Sequence, residues 1–225
     1  MGGTHLYQGG VKTTYFGLMS YDQSMKIQKQ CYELVQGSGF PVVLGFEYYP
    51  VITLGLRAQA GQELMGDHRL LKEQGFEIVE TDRGGQATLH SPGQLVIYPL
   101  VPLRKLGLGV RQFVEILEET TIQWLKSLKI SSGRSEDAGV FTERGKIAFI
   151  GIRVLRGISC HGISINLSND LSLFSAIRAC GVSQRPLDSV SKQGHELNQK
   201  EAFDSWVLYF TNELLKALPH PPQNK

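Results

Sequence analysis

The stretch from Arg83 to Pro99, RGGQATLHSPGQLVIYP, constrains this chain more than any other. It runs from a glycine pair through a polar turn into an apolar run. Gly84 and Gly85 lack Cβ atoms, so the backbone there can adopt unusual angles and admit a ligand closely. Ser91-Pro92-Gly93 is a tight-turn signal. Phe76 to Glu80 alternates apolar and polar residues as a strand does, and Leu95 to Val101 has the unbroken apolar character of a buried one. Arg83 directly precedes the glycines and His90 directly precedes the turn. Read blandly, the stretch is a glycine-rich hairpin with incidental polar residues. Read functionally, it is a loop built to hold a ligand.

The remaining pattern mixes helices and strands. Ser20 to Val35 places Tyr21, Met25, Gln28, Cys31, Tyr32 and Val35 at three- and four-residue steps. Ser20 and Gln23 form a capping-box pair, and Gly37-Ser38-Gly39 ends the helix. Pro41–Tyr49 and Val51–Leu56, joined around Pro50, read as two strands or one bent strand, and residues 57–75 as a polar loop with a short helix near His68–Gln74. Val110–Leu128 is the clearest helix, with Val110, Phe113, Val114, Leu117, Thr121, Trp124, Leu125 and Leu128 on its apolar face. Such a stripe is core rather than a cofactor box. Gly139–Thr142 and Lys146–Leu155 read as a hairpin turning at Glu143-Arg144-Gly145. Ile158–Leu167 is a further strand, in which Gly162 marks a bulge or a close approach. Asp170–Ile177 reads as a short turn or helix. Asn198–Leu218 is the last helix, capped by Asn198 with Glu201 and burying Phe203, Trp206, Val207, Phe210 and Leu214. Neighbouring strands with helices outside them indicate one α/β domain over residues 1–225, a mixed sheet flanked by helices.

Composition narrows the function. A net charge of +2 over 225 residues offers no footprint for nucleic acid. No apolar run approaches membrane-spanning length, and the polar, glycine-rich first ten residues do not read as a signal peptide. Three cysteines make no disulfide framework, so a reducing cytoplasm is the expected compartment. The sequence has no phosphate-binding glycine loop of the P-loop or dinucleotide type, no H-E-x-x-H, no C-x-x-C and no G-x-S-x-G. What remains is a cysteine beside glycine (Cys180), a lysine opening a strand (Lys146) and two histidines beside turn or glycine residues (His90, His161). A cysteine is a nucleophile as its thiolate, which a nearby ammonium stabilises. Spacing alone selects neither Cys180 over Cys160 nor Lys146 over the other lysines.

Three blocks carry a family resemblance: residues 83–99, the run GVFTERGKIAFIGIRVLRGISCHGISINLSNDL at 139–171, and Ala179-Cys180-Gly181. Together with Thr53-Leu54-Gly55 and the helix opening after Gly107, they resemble the octanoyl-carrier-protein:protein octanoyltransferases of the lipoate pathway. The resemblance implies the fold of the biotin and lipoate protein ligase catalytic domain. It implies a Cys180/Lys146 dyad that passes an octanoyl group from acyl carrier protein, through an acyl-cysteine, to a lysine of lipoyl domains. Those domains belong to the 2-oxoacid dehydrogenase complexes and the glycine cleavage H protein. No cofactor and no metal are implied, because a thioester is already activated. The implied substrate pocket comprises Arg83, Gly84, Gly85, Gln86, Ala87, Thr88, Leu89 and His90; Phe149, Ile150 and Gly151; and Cys160, His161 and Gly162. The sequence departs from the family pattern at Ser91, Leu89, Ala179 and Cys160, and the second and last of these bear on acyl chain length. Two other readings share features with this one: an ATP-dependent lipoate-protein ligase, and a non-catalytic protein that binds an acylated carrier.

Overall fold

The computed structural model describes residues 5–7, 10–178 and 186–218. Its centre is a seven-stranded mixed sheet in the order β1-β2-β3-β7-β10-β9-β8. The strands are β1 (His5–Tyr7), β2 (Val11–Met19), β3 (Val42–Tyr48), β7 (Gln94–Leu100), β8 (Gly139–Thr142), β9 (Gly145–Leu155) and β10 (Ile158–Asn166). Only β2 and β3 pair in parallel within it; the helix α1 (Tyr21–Ser38) makes that crossover. A smaller sheet has the order β5-β4-β6, from β4 (Val51–Leu54), β5 (Glu77–Glu80) and β6 (Ala87–His90).

Both faces of the large sheet are covered, which is why its central strands read as continuous apolar runs. Period-two alternation sorts the side chains. Val43, Leu95 and Ile97 join a cluster with Phe113, Leu117 and Trp124 of α4 (Val110–Ser127) and Phe203, Trp206 and Phe210 of α5 (Gln199–Ala217). Leu44, Phe46, Val96 and Tyr98 point the other way, to Tyr21 and Val35 of α1. A third cluster joins Ile52, Leu54 and Leu89 of the small sheet to Leu71 of α3 (His68–Glu73) and to Phe149 and Phe174.

The expected caps are present. Ser20 and Gln23 exchange both bonds of a capping box, and Gly39 closes α1 with a φ of 70°. Asn198 accepts from the amides of Lys200 and Glu201. The α4 stripe differs slightly from the periodic reading: Val110 is exposed, and Ile116 and Thr120 are buried in its place.

The hairpin reading of 83–99 does not hold. β6 pairs with β4 in the small sheet, and β7 pairs with β3 and β10 in the large one. Ser91-Pro92-Gly93 is thus the point where the chain changes sheets. Gly93 has a φ of 87°, and a Cβ there would lie 2.7 Å from the amide nitrogen of Asn169. The pattern gave no expectation for β2, whose side chains are mostly half-buried because only the three-residue β1 lies outside it. The short helix α2 (Ala60–Glu63) was likewise not anticipated. Among the described residues, no helix is long and apolar enough to cross a membrane.

Candidate active site

The two sheets converge on a cavity of about 300 Å³. Its walls include the 83–90 segment, β9 and β10, so two of the three blocks singled out in the sequence, 83–99 and 139–171, meet in space. Arg83, Gly85, Gln86, Ala87, Thr88 and His90 border it on one side. Lys146, Phe149, Ile150 and Gly151 border it on β9, and His161 and Gly162 on β10. Three expected residues do not. Leu89 is fully buried in the core of the small sheet, pointing to the opposite face from its neighbours. Gly84 packs on β9, donating its amide to the Ile152 carbonyl at 3.0 Å. Cys160 is buried outside the cavity lining, and burial with the nearby Asp82 charge pushes its thiol up to about 11. Ile163 and Ser164 border the cavity instead, two positions further along β10 than the expected segment. Cys180, with Ala179 and Gly181, lies outside the described residues.

Lys146 is buried at the cavity wall. Its Nζ donates to the Ala138 carbonyl at 2.8 Å and lies 5.1 Å from the ring centres of both Phe141 and Phe149. The ammonium is therefore held by a carbonyl and two π faces, a geometry favourable to a cation. Gly139 makes room for it. At a φ of 131°, a Cβ there would meet the Ala148 carbonyl at 2.4 Å and Cε of Lys146 at 2.7 Å. The buried Glu118 of α4 fixes that glycine, accepting its amide at 3.0 Å. Gly139→Ala is expected to cost roughly 1–3 kcal/mol, the scale of a strained backbone position, and to reduce activity further by displacing the lysine. Denaturant midpoints compared with turnover would show both effects; wild-type values for both would mean that the Lys146 setting tolerates the methyl group.

Arg83 is buried, with its Nη2 donating to the Thr53 carbonyl at 2.6 Å and its Nε to the Thr53 hydroxyl at 3.1 Å. Its Nη1 donates to the Gly84 carbonyl at 3.0 Å, so the guanidinium holds the glycine loop in shape. Glu63 of α2 clamps the same wall, with its carboxylate accepting the amide of Ala87.

The two histidines have different settings. His90 is bonded through Nδ1 to Oε1 of Gln94 at 2.6 Å, and Gln94 donates in turn to Asn166 at 2.9 Å. Asn166 continues to the Asp188 carbonyl at 3.0 Å. Burial pushes His90 down to about 4, so it is neutral near pH 7. His161 sits in β10 with a φ of 57°, a left-handed geometry rare for a residue with a side chain. That twist takes its amide out of the sheet ladder and gives it to Oε1 of Gln28, at 2.6 Å on α1. Gly162 follows because a Cβ there would lie 2.1 Å from the Ile97 carbonyl. The approach expected at this glycine is that of a neighbouring strand. Nε2 of His161 bonds Oδ1 of Asp82 at 2.7 Å. That hydrogen bond, helped by the Arg153 charge, holds Asp82 down at about 2.

Asp82, Gln94, Asn166 and Glu63 were not singled out in the sequence, and Gln28 only as part of the α1 stripe. Asp82 carried a local signal as the immediate neighbour of Arg83, and Gln94 lies four residues from the His90 it bonds. Gln28, Asn166 and Glu63 act across long sequence separations.

The lipoyl protein ligase A/B catalytic domain model matches residues 20–211. An octanoyltransferase of Halorhodospira halophila is 40% identical over 172 residues, which is 76% of each chain. Among solved structures, a lipoate-protein ligase A bound with ATP superposes with a TM-score of 0.71 at 14% identity, covering 93% of this chain and 86% of that one. A biotin protein ligase from Aquifex aeolicus gives a TM-score of 0.53 at 11% identity, covering 92% and 69%. These last two likenesses bear on the fold alone, a mixed α+β sheet flanked by helices.

Proposed function

Since the chain belongs to the octanoyltransferases, within the lipoyl protein ligase A/B catalytic family, we propose that it carries the octanoyl group on Cys180, with Lys146 as the proton partner. The donor is octanoyl-acyl carrier protein, and the acceptor is a lysine of a lipoyl domain. Lys146 ammonium keeps Cys180 as thiolate. The thiolate attacks the thioester carbonyl, and backbone amides near the nucleophile or the glycine pair stabilise the oxyanion. The carrier thiolate leaves with the Lys146 proton. The acceptor amine then attacks octanoyl-Cys180, and Lys146 recovers a proton from the attacking nitrogen.

The setting of Lys146 carries this reading. Its side chain is buried at the cavity, and its main chain is paired with the segment that follows Cys180. The Lys146 amide donates to the Pro186 carbonyl at 2.9 Å, and the Lys146 carbonyl accepts from Asp188 at 3.0 Å. On the other side, the Arg178 amide donates to the Glu63 carbonyl at 2.7 Å. Cys180 is two residues beyond Arg178 in the sequence. Lys146 borders the cavity, and Glu63 accepts the amide of Ala87, which borders it too. Apolar Val96, Phe149, Ile150 and Ile163 are the surfaces for the acyl chain.

The ligase alternative shares the fold but needs ATP. Transfer from octanoyl-carrier protein to a lipoyl domain should proceed without ATP, as read by acceptor mass. Transfer seen only with ATP and free octanoate would overturn the proposal.

A further inference from the structure

The proposed acyl-cysteine route leaves one proton without a base. An acceptor lysine arrives as an ammonium, and its nitrogen must lose two protons to become an amide N–H. Lys146, having protonated the departing carrier thiol, can take one of them.

His161 has the geometry to take the other. Its ring borders the cavity and is almost fully buried. Its Nε2 is engaged by Asp82, while Nδ1 has no hydrogen-bond partner among the described residues. With Nε2 donating its hydrogen to the carboxylate, Nδ1 is the lone-pair nitrogen, a buried acceptor left unsatisfied. The ring is fixed from several sides. Asp82 holds one edge, the Tyr98 ring meets it edge-on at 5.6 Å, and Gln28 holds the backbone in its left-handed turn. Arg153 pairs with the second Asp82 oxygen, and Asp82 is half-exposed, so the far side of the pair reaches water. His90, the other histidine of the cavity, is occupied at Nδ1 by Gln94 and is too weak a base at neutral pH.

We propose that His161, oriented by Asp82, is the base that takes the first proton from the acceptor lysine; this rests on the acyl-cysteine reading above. The ammonium N–H bond breaks, its electron pair stays on nitrogen, and the proton bonds to Nδ1, giving an imidazolium held by Asp82. The neutral amine attacks the carbonyl carbon of octanoyl-Cys180. The C–S bond breaks and the second proton passes to Lys146. The products are the amide, Cys180 thiolate, Lys146 ammonium and a protonated His161. The last loses its proton to solvent, the single proton that thioester plus ammonium must release on becoming amide plus thiol.

The test compares two nucleophiles on preformed octanoyl-enzyme. One is the lipoyl-domain lysine, charged at neutral pH. The other is hydroxylamine, which is uncharged there and needs no prior deprotonation. In His161→Asn, the ratio of lysine to hydroxylamine rates should fall about 100-fold, the lower range for loss of a general base. Asp82→Asn, at a half-exposed position that spares the buried ring, should lower the same ratio by about tenfold and serves if the histidine variant does not fold. Equal slowing of both nucleophiles would mark a structural role and overturn the proposal, as would an unchanged ratio. A wild-type protein that never forms octanoyl-Cys180 would instead remove the covalent route, and this step with it.

Discussion

Lys146→Met should slow octanoyl transfer by about 10²- to 10⁴-fold, the range for a positioned acid–base group, with little loss of stability. Methionine keeps an unbranched apolar stem between Phe141 and Phe149 and removes the ammonium that reaches the Ala138 carbonyl. The pH profile separates a chemical role from a packing role. With the ammonium present, Cys180 acylation should be nearly level around neutral pH. Without it, the thiol returns toward its free value of about 8.5, so acylation should rise with pH up to that point. Single-turnover acylation across pH, with thermal unfolding alongside, measures both. A variant within threefold of wild type at every pH would take Lys146 out of the chemistry.

The second large effect concerns the choice of cysteine. Cys180→Ala should abolish octanoyl-enzyme formation, and Cys160→Ala should retain it. Cys160 sits on β10 opposite Arg153, outside the cavity lining, where burial favours the neutral thiol. A thiol pushed up to about 11 is almost wholly protonated at pH 7. Cys31 packs beside the α1 face, and burial raises it as well. Both described cysteines therefore have the setting of structural thiols. The described residues on either side of the 179–185 stretch are bonded to the fold: Arg178 donates to the Glu63 carbonyl, and the Pro186 carbonyl accepts the Lys146 amide.

The large elements were legible because their signals are local. The α1 box, the Asn198 cap and the β8–β9 hairpin depend on residues a few positions apart. Strand pairing was less legible. The apolar runs of β3 and β7 show burial on both faces but not that β4 and β6 leave for a second sheet. The Gly93 backbone and its closeness to Asn169 decide that change of sheet, and only the fold reveals it. The cavity followed the same division. Arg83, His90 and Gly162 stood out by position and Lys146 through the family resemblance, whereas the His90–Gln94–Asn166–Asp188 chain links the 83–99 stretch to two distant parts of the sequence. Cys160 and Leu89 were misread for another reason. A twist at His161 and the alternation of β6 decide which neighbours reach the cavity.

The most direct measurement is intact mass after incubation with octanoyl-carrier protein in the absence of ATP, for wild type, Cys180→Ala and Cys160→Ala. The proposed route predicts one octanoyl adduct on wild type and on Cys160→Ala, and none on Cys180→Ala. An adduct that survives in Cys180→Ala and vanishes in Cys160→Ala would contradict the assignment of the nucleophile. No adduct on any of the three, with transfer to a lipoyl domain still proceeding, would contradict the covalent route.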